Sequence, residues 1–151
     1  MFSRIQQKKM GIYYIVDECR QSGNILTIRG WMCSTKYRFK NVHFLIEDKT
    51  KSSFLIKGKY GVTRNDVYQN LKIDNAKQSG FYAQAIVENI KEYSVWLVFS
   101  CESKKYRLRL GKVISDGEVN KEREGRVVEI DSTEKVVDIV KHSVYSMVYK
   151  V

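Results

Sequence analysis

Histidine and cysteine are scarce in this chain of 151 residues: it has two of the first and three of the second. Their positions rule out the usual metal spacings. His43 lies inside a strand pattern, Val42–Ile46, and His142 lies in the C-terminal segment. There is no Cys-x-x-Cys and no His-x-x-x-His, which argues against zinc. Cys19, Cys33 and Cys101 form an odd, widely spaced set. That pattern excludes a closed disulfide framework and predicts reduced thiols in a cytoplasmic protein, with peripheral membrane association left open. Nothing in the sequence supports a dyad of Cys33 or Cys101 with His43, and buried structural thiols are the expectation. The nine glycines are scattered, so no phosphate-cradling loop is present. No run approaches the roughly 18 apolar residues that span a bilayer, and the first ten residues lack the apolar stretch of a signal peptide. Adjacent carboxylates occur at Asp17-Glu18 and Glu47-Asp48, where turn chemistry at strand ends accounts for them. The sequence therefore predicts no catalytic residue, no metal ligand, no cofactor and no enzymatic activity for the chain by itself.

What is present suits a packed domain. Hydrophobic residues make up 43% of the chain, enough for a real core. The net charge is +10, and it is unevenly spread. Residues 112–151 hold seven basic and eight acidic side chains, whereas residues 1–111 hold 20 basic and nine acidic. The basic character of residues 1–111 suits an anionic partner such as nucleic acid, acidic glycan or lipid headgroups; a merely solvated surface is the plain alternative.

Periodicity gives the fold class. Residues 1–11 read as a polar, basic leader. Seven segments then read as short strands: Ile12–Asp17, Ile25–Met32, Val42–Glu47, Ser53–Lys59, Phe81–Glu88, Ser94–Cys101 and Tyr106–Leu110. The alternation is strict in Tyr106-Arg107-Leu108-Arg109-Leu110, with the arginines opposite the leucines. Turn residues fill the gaps, as in Gln21-Ser22-Gly23-Asn24 and Glu47-Asp48-Lys49-Thr50-Lys51. The expected fold is an all-β antiparallel β-sandwich, Ig-like or jelly-roll-like, of about seven strands over residues 12–111. A small barrel is the competing architecture. Its core should contain Leu26, Ile28, Phe44, Ile46, Leu55, Phe81, Ala83, Ala85, Val95, Leu97, Phe99 and Leu108.

One segment breaks the alternation. Thr63–Leu71 reads as a short helical insert, with Thr63 as its cap, Asp66 near the positive end of the dipole, and Val67 and Leu71 on one face. Beyond Gly111 the composition changes. Lys112–Arg126 reads as a charged linker with Gly117 and Gly125, and Arg126–Ile130 as one more strand. Asp131-Ser132-Thr133-Glu134 starts like a capped helix, with Val136, Val137, Val140, Val144 and Met147 on one face, although Ser143–Val151 also suits an extended chain. Residues 112–151 are thus expected to be a linker plus a C-terminal segment leading to a further domain.

Binding chemistry is better supported than catalysis. Ten tyrosines, six phenylalanines and two tryptophans accompany the many Lys and Arg. Trp31 and Trp96 lie within strand patterns and are expected in the core. Tyr37, Tyr60, Tyr68 and Tyr82 flank loops or the insert and are expected on the surface. The candidate ligand-binding residues are Tyr60, Arg64, Asp66 and Tyr82: aromatic faces for a sugar or base, and a charged pair for hydroxyls or anions. Arg64 and Asp66 also have a structural reading, as a tie between the insert and a sheet edge.

The set Gly30-Trp31, Arg64-x-Asp66-Val67 and Gly80-Phe81, in this order and spacing, resembles the small β-sandwich domain at the front of many bacterial glycosyltransferases of surface-polysaccharide synthesis. The resemblance covers about residues 12–111. The chain has no proline, so Thr63 and Asn65 stand where that family often carries one. The resemblance implies a non-catalytic accessory module, binding a glycan acceptor or docking a covalently linked or neighbouring catalytic domain that holds the transferase chemistry. The alternative, from charge and aromatics, is a small basic β-barrel that binds single-stranded nucleic acid or another polyanion. A third reading is an interaction domain with no small ligand.

Overall fold

The computed structural model describes residues 10–88, 90–114, 118–121, 124–130 and 135–141. Eleven strands fill most of it: β1 (Ile12–Ser22), β2 (Ile25–Ser34), β3 (Lys40–Asp48), β4 (Ser53–Ile56), β5 (Gly58–Val62), β6 (Gly80–Ile86), β7 (Glu92–Cys101), β8 (Lys104–Ile114), β9 (Glu118–Lys121), β10 (Glu124–Glu129) and β11 (Lys135–Lys141). Between β5 and β6 lie one helix, α1 (Asn65–Leu71), and a 3-10 turn, Asp74–Ala76. All strand pairs are antiparallel. A four-stranded sheet runs β1-β2-β6-β5. A seven-stranded sheet runs β11-β10-β8-β7-β3-β4, with β9 alongside β8. The fold is the expected all-β sandwich.

Period-two alternation creates the core. Tyr93, Val95, Leu97 and Phe99 of β7 point inward with Phe44, Ile46, Leu108 and Leu110, and meet Tyr14, Val16, Leu26, Ile28, Met32, Phe81 and Ala83 of the smaller sheet. Phe44 and Phe81 join the sheets edge to face, with ring centroids 5.8 Å apart. Each such aromatic contributes about 2–3 kcal/mol by leaving water. Cys19, Cys33 and Cys101 are buried and form no disulfide, and burial pushes the Cys33 thiol up to about 12 and the Cys101 thiol up to about 11. The β3–β4 turn is set by Asp48, whose carboxylate accepts from the Thr50 and Ser52 amides at 2.9 and 3.0 Å.

Several expectations are corrected. Ser53–Lys59 is not one strand: Lys57 separates β4, in the larger sheet, from β5, in the smaller. Leu55 is 68% exposed, because its partner across β3 is Leu45, on the outer face, while Phe54 and Ile56 take the core parity opposite Ile46 and Phe44. Ala85 is only half-buried. Within Lys112–Arg126, expected as a linker, the described residues are strand: β8 continues to Ile114, and β9 and β10 pair with it. Where Val136, Val137 and Val140 were expected on a helix, β11 forms, in keeping with their β-branched side chains. Residues 1–9 of the leader, Asp131–Glu134, and Ser143–Val151 with Val144 and Met147 lie outside the described residues. Among the described residues, no helix is long and apolar enough to cross a membrane.

Candidate functional site

The three short motifs of the sequence converge on one place. β2 and β6 pair so that Gly30 faces Phe81 and Trp31 faces Gly80. On the core side, Gly30 leaves room for the Phe81 ring; a Cβ there would overlap that ring and the Ile15 carbonyl. On the outer side, Trp31 is fully buried against Ile15, Cys33, Val67 and Ala76. Val67 comes from α1 and Ala76 from the 3-10 turn, so the connection between β5 and β6 folds back as a lid over the indole. Gly80 keeps this lid close: a Cβ there would meet Val62 at 2.9 Å and the Arg64 side chain at 3.1 Å.

Arg64 fastens the lid. Its Nε and Nη2 donate to the two oxygens of Asp66 at 3.0 and 2.9 Å, a bidentate pair. Its Nη1 donates to Asp17 at 3.3 Å. Asp17 is the extra residue of a bulge in β1, between Val16 opposite Gly30 and Glu18 opposite Arg29. Such a bulge re-aims a side chain out of the alternation. The Arg64 amide also donates to the Lys77 carbonyl at 2.7 Å. The Asp66 hydrogen bonds hold the guanidinium above its ordinary value, and Arg64 in turn holds the Asp66 carboxyl below the usual carboxylate range. The cap is not Thr63 as expected. Arg64 occupies that position, with φ −135° and ψ 78°, and no side chain caps α1.

Beside the lid is a groove of about 660 Å³, between the loop after β2 and the connection after β5. Its lining includes Tyr37, Arg38, Tyr60, Asn65, Asp74 and Gln78. Both walls are tied down. The Asn75 amide donates to the carbonyls of Ser34 and Tyr37 at 3.0 and 2.9 Å. The Ser34 hydroxyl donates to the Met10 carbonyl and accepts from the Lys36 and Tyr37 amides. Tyr60 Oη donates to the Met32 carbonyl at 2.6 Å, and burial raises the phenol above its ordinary value. The Tyr60 hydroxyl is thus already engaged as a donor, and its ring, expected on the surface, is half-buried against the main core at the edge of the groove.

Of the four candidate residues, the structure brings Tyr60 to the groove and joins Arg64 to Asp66 beside it. Tyr82 lies apart. Tyr60 pairs with inward-facing Phe81, whereas Tyr82 points to the outer face of the same sheet and is 41% exposed. Tyr37 and Tyr68, expected on the surface, are half-buried, and Lys77 Nζ lies 4.5 Å over the Tyr68 ring. Sequence reasoning missed Asn75, which braces the groove from a turn without periodicity, and Asp17, whose role depends on a bulge. Among the described residues, no group of three or more His, Cys, Asp or Glu is placed to hold a metal. No family model, no curated protein and no solved structure matches the chain.

Proposed function

We propose that this chain is a non-catalytic accessory module that binds a neutral carbohydrate segment, or docks a catalytic domain over it, as part of a glycosyltransferase system working in a reducing compartment. The observation that carries this reading is the braced groove at Tyr60. Its volume is within the range of about 300–1,000 Å³ usual for small-ligand clefts. It combines aromatic rings with amide, carboxylate and cationic side chains, the mixture that a sugar's apolar face and hydroxyls require. The anchoring of both walls lowers the ordering needed on binding. The order and spacing of Gly30-Trp31, Arg64-x-Asp66-Val67 and Gly80-Phe81 support the link to glycosyltransferase accessory domains. In this reading Arg64 and Asp66 hold the lid while Tyr60 and Asn65 meet the ligand.

Amide-resolved NMR titration with a panel of neutral oligosaccharides tests it. Saturable shifts at Gly61, Asn65 and Gln78, insensitive to salt and weakened by Asn65→Ala, are expected. Shifts confined to other faces, or none across the panel, would remove the carbohydrate reading.

A further inference from the structure

The larger sheet has a second concavity, of about 420 Å³, on the face turned away from the core. It is centred on Trp96. Strand register places Leu45, Trp96 and Arg109 in one row across β3, β7 and β8, with Glu47, Ser94 and Lys112 in another. Trp96 is only 6% exposed. It is covered by guanidinium groups: the Arg107 ζ carbon lies 4.1 Å from the ring centroid and that of Arg109 6.0 Å. Beneath that cover the indole Nε1–H is buried with no hydrogen-bond acceptor among the described residues. A buried donor without an acceptor is rare in native proteins and often marks the place of an unseen water or ion. The surrounding charge favours an anion, since cations outnumber carboxylates five to three among the described lining residues. Two of those carboxylates already face cations. Glu47 lies 3.5 Å from Arg107, and Glu92 lies 3.1 Å from Lys112 and 3.6 Å from Lys49.

We infer that this face is a binding site for a discrete anionic group, a phosphate either free or carried by a sugar, held by Arg107, Arg109 and Lys112 above the Trp96 indole. Guanidinium forks match a tetrahedral oxyanion, and stacking on the indole pre-orients them. A small shift of the cover would let the anion accept from Nε1–H as well. A nucleic-acid strand fits less well. The indole has no open face on which a base could stack, and Glu47 and Glu92 would repel a continuous phosphate backbone. The site lies on a different sheet from the Tyr60 groove and does not depend on how that groove is used.

The test is an NMR titration of the full chain, each run held at constant ionic strength and repeated at low and high salt, following the two indole N–H resonances. Trp96→Phe assigns them, and Trp31, on the other sheet, is the internal control. Sodium phosphate, glucose 1-phosphate, glucose, sodium chloride and a thymidine oligonucleotide are the probes. A saturable shift of the Trp96 resonance alone is expected with phosphate and with glucose 1-phosphate, but not with glucose or chloride. Tighter binding of glucose 1-phosphate assigns the anion to a glycan, and equal binding assigns it to free phosphate; both support the site. Arg109→Gln and Lys112→Gln should each weaken binding about tenfold, as expected for loss of one charged hydrogen bond. If Arg109→Gln unfolds, Lys112→Gln at the rim carries the test by itself. A shift that fails to saturate, one that both variants leave unchanged, or one that the oligonucleotide produces most tightly with a steep salt slope would overturn the proposal.

Discussion

At the residue scale, Arg64 decides what the polar insert is for. It is bonded to a carboxylate on its own turn and to another on β1, and its side chain is 21% exposed. Arg64→Ala removes the cation facing both, and should lower stability by about 1–3 kcal/mol. Asp66 is 43% exposed, so solvent screens its half of the pair, and Asp66→Ala should cost about 1 kcal/mol or less. The double variant should lose less than the sum, because the two side chains share one network. Thermal melts at one pH and salt check all three. The sign with pH follows from the lowered Asp66 carboxyl, whose ordinary value is 3.8. A depressed carboxyl contributes stability above its unfolded value and loses it as pH falls through the folded value. The gap between wild type and Asp66→Asn should therefore hold above that ordinary value and close as the pH drops below it. A gap that widens in acid would refute the assignment.

At the element scale, α1 illustrates what packing can do for a helix too short to stand by itself. Its seven residues fall well short of the roughly 12–15 needed for marginal stability in isolation, and no side chain caps its start. Val67, fully buried against Trp31, is its hold on the sheet. Val67→Ala should cost about 1–3 kcal/mol, and amide exchange should speed up along α1 more than in β7. At the other end, Lys72 closes the helix in the left-handed region, with φ 57°. Lys72→Gly should raise stability by about 0.5–1 kcal/mol in the same melts. Strands with one buried face were legible in the sequence, because alternation records that face directly; β1, β2, β3, β6, β7 and β8 all came from it. Three features left no such record. The break at Lys57 is one residue long. Charge and glycine around Gly117 and Gly125 masked β9 and the start of β10, of which only Arg126–Ile130 was read as strand. The lid's partners, Asp17 and Trp31, are distant in sequence and meet it only through register. The groove was half legible: Tyr60 stood out as an aromatic beside a polar turn, but the bracing by Ser34 and Asn75 had no pattern to betray it.

At the scale of the whole molecule, the two sheets are interleaved along the chain. The smaller sheet takes β1 and β2, then waits through β3 and β4 before β5 and β6 complete it, while β7 and β8, at the centre of the larger sheet, come later still. A chain cut after Glu88 keeps every strand of the smaller sheet and β3–β4 of the larger, but lacks β7 and β8, which supply Tyr93, Val95, Leu97, Phe99, Leu108 and Leu110 to the shared core. It should show no cooperative melt by circular dichroism, and a sharp two-state melt of that piece would contradict the shared core. The single residue Lys57, where the chain changes sheets, also bears on synthesis. As the polypeptide leaves the ribosome, β3 and β4 emerge with Phe44 and Ile46 bare, and a lone hairpin is at best marginally stable in water. They cannot bury those side chains in the completed sandwich until Tyr93–Phe99 has cleared the exit tunnel. The nascent chain therefore carries a sticky half-sheet through much of its translation, the interval in which a chaperone would have most to hold.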